Sequence, residues 1–99
     1  MRNERPCLRK KLQAFLRCEV FDGMFSDEYG VEAIDHDGNS VSGFFVKGII
    51  DKEKQRMAVE IANEESGSYL VWAPGQSCGG KGWINATKIW VPKTMVVFE

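Results

Sequence analysis

The sequence predicts a mainly β domain, a small and strongly bent antiparallel sheet or small barrel of five to seven strands with one N-terminal helix. Short apolar runs recur between turn signals, most clearly on either side of Asp37-Gly38 and of Glu64-Glu65-Ser66-Gly67. Residues 55–63 alternate with period two, placing Met57, Val59 and Ile61 on one face and Arg56, Ala58, Glu60 and Ala62 on the other. Helical period is clearest near the N-terminus, where Leu8, Leu12, Phe15 and Leu16 fall at i, i+4, i+7 and i+8.

The elements follow in order. A chain of 99 residues builds one hydrophobic core, so residues 1–5 read as a basic arm and residues 6–99 as a single domain, with a helix at about 6–16 and strands over about 17–98. Pro6 suits a first helical position, since its missing N–H would have no partner there. Near Arg17 the period changes, and a strand runs through Phe21. Met24 and Phe25 then stand in a loop with their bulk partly exposed, and a strand follows from Tyr29 to Asp35. Asp37-Gly38 supplies the positive φ that a tight hairpin turn requires. The long strand from Ser40 to Ile50 carries Gly43 and Gly48, residues that mark bulges or bends. Residues 55–63 form a strand with one wet face, and a helix over residues 52–65 is the rival reading. Ser68 to Ala73 is apolar on both faces, as in a central strand or one that exposes an aromatic for binding. Residues 88–92 and 94–98 supply one kinked or two short terminal strands.

Composition excludes several classes. A hydrophobic fraction of 43% with 27% charged is too apolar for disorder. The longest apolar runs, such as Met95-Val96-Val97-Phe98, are far short of a membrane span, and the N-terminus lacks an apolar signal region. No membrane association and a cytoplasmic location are therefore expected. Cys7, Cys18 and Cys78 are too dispersed for a disulfide framework or a metal clip. Charge is divided unevenly: residues 1–17 hold six Arg or Lys against Glu4 alone, and residues 18–99 hold seven against thirteen carboxylates, balances of +5 and −6. A basic leader over an acidic body can serve nucleic acid through Arg9, Lys10 and Lys11, or it can be a solvated surface attracted to the protein's own acidic part.

The glycine-rich entry Gly79-Gly80-Lys81 and the run Gly82-Trp83-Ile84-Asn85-Ala86-Thr87-Lys88-Ile89-Trp90-Val91 resemble the closing segment of SH3-like small barrels. There a Gly-x-Gly-Trp run leads through one short helical turn into the final strand. The resemblance covers about residues 68–91 and implies a fold and a binding role. Asn85-Ala86-Thr87-Lys88 stands where peptide-binding SH3 domains carry Pro-x-Asn-Tyr, and the acidic-aromatic opening strand and adjacent tryptophan pair are missing, so proline-rich peptide binding is not implied.

Few residues suggest chemistry. Asp35-His36-Asp37 places an imidazole between carboxylates, but neighbours on a strand point to opposite faces, so the three are expected not to converge unless the turn folds them together. Cys78 with His36 is the minimum for thiol catalysis, and nothing places them together. Residues 75–82 look superficially like a phosphate loop but lack its Lys-(Ser/Thr) ending. Asn85-Ala86-Thr87 matches a glycosylation acceptor without a secretory signal. No metal, no cofactor and no enzymatic activity are expected. The best functional candidates are the tryptophans Trp72, Trp83 and Trp90, because three exceed what so small a core readily holds and aromatics dominate interfaces. The sequence thus points to a non-enzymatic interaction module that binds a protein partner or itself, as a dimer first of all, through Trp83, Trp72, Phe25, Asn85 and Trp90. Nucleic-acid binding by the leader is the alternative.

Overall fold

A computed structural model describes residues 12–73, 82–84 and 86–99. The strands are β1 (Ala14–Arg17), β2 (Glu19–Asp22), β3 (Glu28–Ile34), β4 (Ser40–Val46), β5 (Ile50–Asp51), β6 (Arg56–Glu65), β7 (Ser68–Trp72), β8 (Gly82–Trp83), β9 (Ile89–Pro92) and β10 (Val96–Phe98). They form two antiparallel sheets. The larger runs β10-β1-β6-β7-β9 with β5 also on β6, and the smaller runs β2-β3-β4-β8.

The ten-residue β6 organises the larger sheet. Its first half pairs with β1 (Ala14 opposite Val59) and its second half with β7 (Glu60 opposite Trp72), and the register shifts between Ile61 and Asn63. A shift of that kind bends a strand and strengthens its twist. β9 and β10 lie at opposite ends of the strand path yet are joined in sequence by a 3-10 turn, Lys93–Met95. No ladder joins them among the described residues, so the sheet is bent but not closed into a barrel.

Alternation along the strands builds one core between the sheets. Leu16, Met57, Val59, Val71 and Val91 of the larger sheet bury against Val31, Ala33, Phe45 and Trp83 of the smaller. The period-two reading of residues 55–63 holds, with Met57 and Val59 inward, and it excludes a helix there. Residues 88–98 resolve into two short strands, as one of the two readings expected.

The N-terminal helix is corrected where it can be tested. Residues 14–17 are strand β1, hydrogen-bonded to β6 on one side and β10 on the other. Ala14 and Leu16 point inward and Phe15 and Arg17 outward. Local helical spacing yields here because two neighbouring strands supply ladder bonds along both edges, a tertiary effect larger than a propensity difference of some tenths of a kcal/mol per residue. The helix's earlier part, residues 6–11, and the arm at 1–5 lie outside the described residues, which contain no α-helix.

The hairpin between β3 and β4 is present, but its loop is Asp35–Asn39 rather than a two-residue turn. Gly38 takes φ +85°, whereas Asp37 does not enter the positive region. Asp35 N–H donates to the Asn39 carbonyl at 2.9 Å, and the Asp35 Oδ1 accepts from the amides of Asp37 and Asn39 at 2.9 and 2.8 Å. Gly43 stays in register between Val31 and Trp83, and the chain bends instead at a 3-10 turn, Lys47–Ile49, which contains Gly48. The helical turn expected after Gly82-Trp83 falls partly on Asn85, outside the described residues; Ala86 N–H donates to the Trp83 carbonyl at 3.5 Å, and a separate 3-10 turn, Lys93–Met95, precedes β10. Gly82-Trp83 itself pairs with β4 in the smaller sheet.

Gln55, at φ +53°, ends the β5–β6 turn in a special way. Its carbonyl accepts from Cys18 N–H at 3.1 Å, and its side-chain Oε1 accepts from Val20 N–H at 3.0 Å. Its Nε2 donates to the Lys52 carbonyl at 2.7 Å, which fixes the side chain. One residue thereby bonds the β1–β2 corner at Cys18 and the start of β2 at Val20.

Candidate functional site: an aromatic face on β7 and β9

Tyr69, Val71 and Ala73 face the core, so Leu70 and Trp72 project from the outer face of β7. On β9, Ile89 and Val91 are buried and Trp90 takes the outer face. Leu70 stands directly opposite Trp90, and Trp72 follows two residues along on the same face. Cross-strand partners of this kind have Cβ atoms about 5 Å apart, so the three side chains form one apolar row. Trp72 is 36% exposed, and Leu70 and Trp90 are half-buried. β6 adds an acidic flank: exposed Glu60 lies opposite Trp72, Asn63 opposite Leu70 and exposed Glu65 opposite Ser68. Along the other edge of β9 the His36 N–H donates to the Trp90 carbonyl at 2.9 Å, seating the β3–β4 turn against the strand.

The other sequence candidates fall elsewhere. Trp83 is only 5% exposed, its ring meeting Phe45 edge to face at 4.8 Å, and its Nε1 finds no acceptor among the described residues. It is a core residue, not an exposed anchor. Phe25 is 66% exposed beside Met24, at 80%, in the β2–β3 loop. That loop is held by Glu28, a buried carboxylate whose Oε2 accepts from Met24 N–H at 3.0 Å. Asn85, Arg9, Lys10, Lys11, Cys7 and Cys78 lie outside the described residues. Leu70 and Glu60 were not singled out from sequence. Their parity with Trp72 was readable, but the pairing with β9 and β6 that assembles the row was not.

Asp35, His36 and Asp37 do converge, by the route the strand-based expectation left open: the five-residue loop folds back on itself. One ligand atom from each lies within 4.8 Å of the others, and His36 Nε2 is 3.4 Å from Asp37 Oδ1. Asp35 Oδ1 accepts from the two amides, which gives that carboxylate a structural role in the turn. Cys18 is buried, and burial pushes its thiol up to about 12. A thiol so raised is neutral at physiological pH and not a nucleophile.

A cleft of about 760 Å³ opens where β1, β2 and β10 meet the ends of β3 and β6. Arg56 forms part of its wall: the guanidinium lies 4.0 Å above the Phe15 ring, its Nη2 donates to Glu99 Oε1 at 3.0 Å, and its Nε sits 3.7 Å from Asp51 Oδ2. The hydrogen bond to Glu99, ahead of the surrounding carboxylate charge, raises the Arg56 pKa and in turn holds Glu99 below the usual carboxylate range.

No family model matches this chain, and neither a curated protein nor a solved structure is significantly similar to it. No helix among the described residues is long and apolar enough to cross a membrane.

Proposed function

We propose that the protein is a non-enzymatic interaction module that docks a protein partner, a second copy of itself included, on the outer face of β7 and β9. The observation that carries this reading is the Leu70–Trp90 pair with Trp72 beside it, a contiguous apolar row on the side of the sheet turned away from the core. Tryptophan on a rigid strand loses little conformational entropy on binding and supplies a large contact area, which is why it recurs among interface hot spots. The carboxylates of Glu60 and Glu65 along one flank oppose a polyanion on this face, so a protein partner is favoured over nucleic acid.

The fold we assign is a variant of the SH3-like small barrel left open. Support comes from the path β10-β1-β6-β7-β9, with one long strand shared between two neighbours and a 3-10 turn before the last strand.

The test is a pair of substitutions, Trp72→Ser and Leu70→Ser, measured for association by sedimentation and for stability by chemical denaturation. Association weakened by about 2 kcal/mol or more in Trp72→Ser, with the denaturation midpoint nearly unchanged, is the expected result for a surface anchor. Unchanged association of both variants with themselves and with any partner identified would remove this face from the function.

A further inference from the structure

We propose that the cleft where β1, β2 and β10 meet the ends of β3 and β6 is a binding site for a small zwitterion, an amino acid or short peptide with both a free ammonium and a free carboxylate. Two cross-strand pairs of like charge line it. Arg17 stands directly opposite Arg56 across β1 and β6, and Glu19 directly opposite Glu32 across β2 and β3, and all four line the same cleft. Like charges facing each other across a ladder are destabilising, so an opposite charge brought to each pair is favourable.

The protein supplies only part of that charge. Arg56 is neutralised by Glu99 and Asp51, and Glu32 accepts a hydrogen bond from the Ser40 hydroxyl. Arg17 and Glu19 have no ion-pair partner among the described residues, whereas Lys54, a third cation in the cleft wall, acts on the carboxylate of Glu99. One cation and one anion without an ion-pair partner, Arg17 and Glu19, therefore share one cleft.

The ligand chemistry follows from this arrangement. An ammonium seated between Glu19 and Glu32 relieves the carboxylate pair, and a carboxylate placed at Arg17 and Lys54 relieves the cationic side. Ile34, Met95 and Val97 give the same cleft an apolar wall for the ligand's side chain. The volume lies within the range of about 300–1,000 Å³ usual for small-ligand sites. Local rules broken in pairs at a cavity are characteristic of function, because a site unoccupied by its ligand carries the cost of being ready for it.

The probe is alanyl-leucine, compared with its N-acetylated form, which keeps only the carboxylate, and its C-amidated form, which keeps only the ammonium. Binding is followed by amide chemical shifts and by calorimetry. The expected result is a saturable complex whose shifts centre on residues 17–19 and 32–34, with affinity at least tenfold lower for either blocked form. Glu19→Gln should weaken the parent dipeptide at least tenfold and yet raise the melting temperature of the ligand-free protein, two effects of opposite sign. Equal affinity for the blocked forms, shifts centred elsewhere, no binding at concentrations of about 10 mM, or a lowered melting temperature in Glu19→Gln would each overturn the proposal.

Discussion

The ring of Trp83 meets the ring of Phe45 edge to face, centroids 4.8 Å apart and planes at 72°, so a residue from the two-residue edge strand β8 becomes a wedge in the core. Aromatic pairs in this geometry add about 1 kcal/mol beyond the area they bury. Trp83→Ala is expected to cost ~3–5 kcal/mol through the cavity it leaves. Trp83→Phe is expected to cost much less, since it also removes a buried N–H that has no acceptor among the described residues. Denaturant midpoints for the two variants check this, and equal losses would show that the indole N–H is satisfied.

Gly30 lies beneath Phe21. A Cβ built at Gly30 would sit 2.1 Å from Phe21 Cε2, so the ring occupies the space a side chain would need. Gly30→Ala should destabilise by about 1–3 kcal/mol through overpacking, and the loss should shrink when Phe21→Ala is added. A double-mutant cycle measures the coupling; strictly additive effects would mean that the clash is relieved by movement elsewhere.

Cys18 should resist alkylation in the folded protein at pH 8, because burial holds the thiol neutral up to about 12. The sign of the linked stability follows. The unfolded thiol ionises near 8.5–9 and the folded one near 12, so the unfolded state loses its proton first and stability contributed by the neutral thiol falls as pH rises across that window. Cys18→Ala should flatten the alkaline limb of a stability-versus-pH curve measured between about pH 8 and 11, and an unchanged limb would contradict it.

Arg56 and Glu99 give a linkage on the acid side. Glu99 is held below its usual range by the Arg56 hydrogen bond, so its contribution is present at neutral pH and lost as pH falls through the folded-state value. Glu99→Gln should leave a smaller loss on acidification. Arg56→Met should retain more stability than Arg56→Ala, since the methionine stem can still cover Phe15. Equal stability of the two Arg56 variants would show that the stacking contributes nothing.

What the sequence made legible was what depends on parity. Met57 and Val59 are buried because period-two spacing sets them on one face, and Gly38 has positive φ because the turn demands it. What it hid was pairing. Leu12, Phe15 and Leu16 match a helical stripe, and only the strands on either side of residues 14–17 make β1 a strand. Trp72 and Trp90 are eighteen positions apart, and their shared face emerges only when β9 takes its register on β7. Trp83 looked like an exposed anchor because a glycine-rich loop precedes it, yet the opposition of Gly43, with no side chain, leaves room for its ring to turn inward beside Phe45.

The doubled bond of Gln55 to Cys18 and Val20 bears on how this molecule avoids polymerising. An outer strand with two open amides is a template onto which an unfolded chain or a second molecule adds, the first step towards fibrils. A single glutamine, using its main chain for the Cys18 amide at the β1–β2 corner and its own carboxamide for the Val20 amide of β2, occupies both without lending an edge of its own. Gln55→Ala uncovers those amides and should shorten the lag of fibril formation while leaving the outer face of β7 and β9 unchanged.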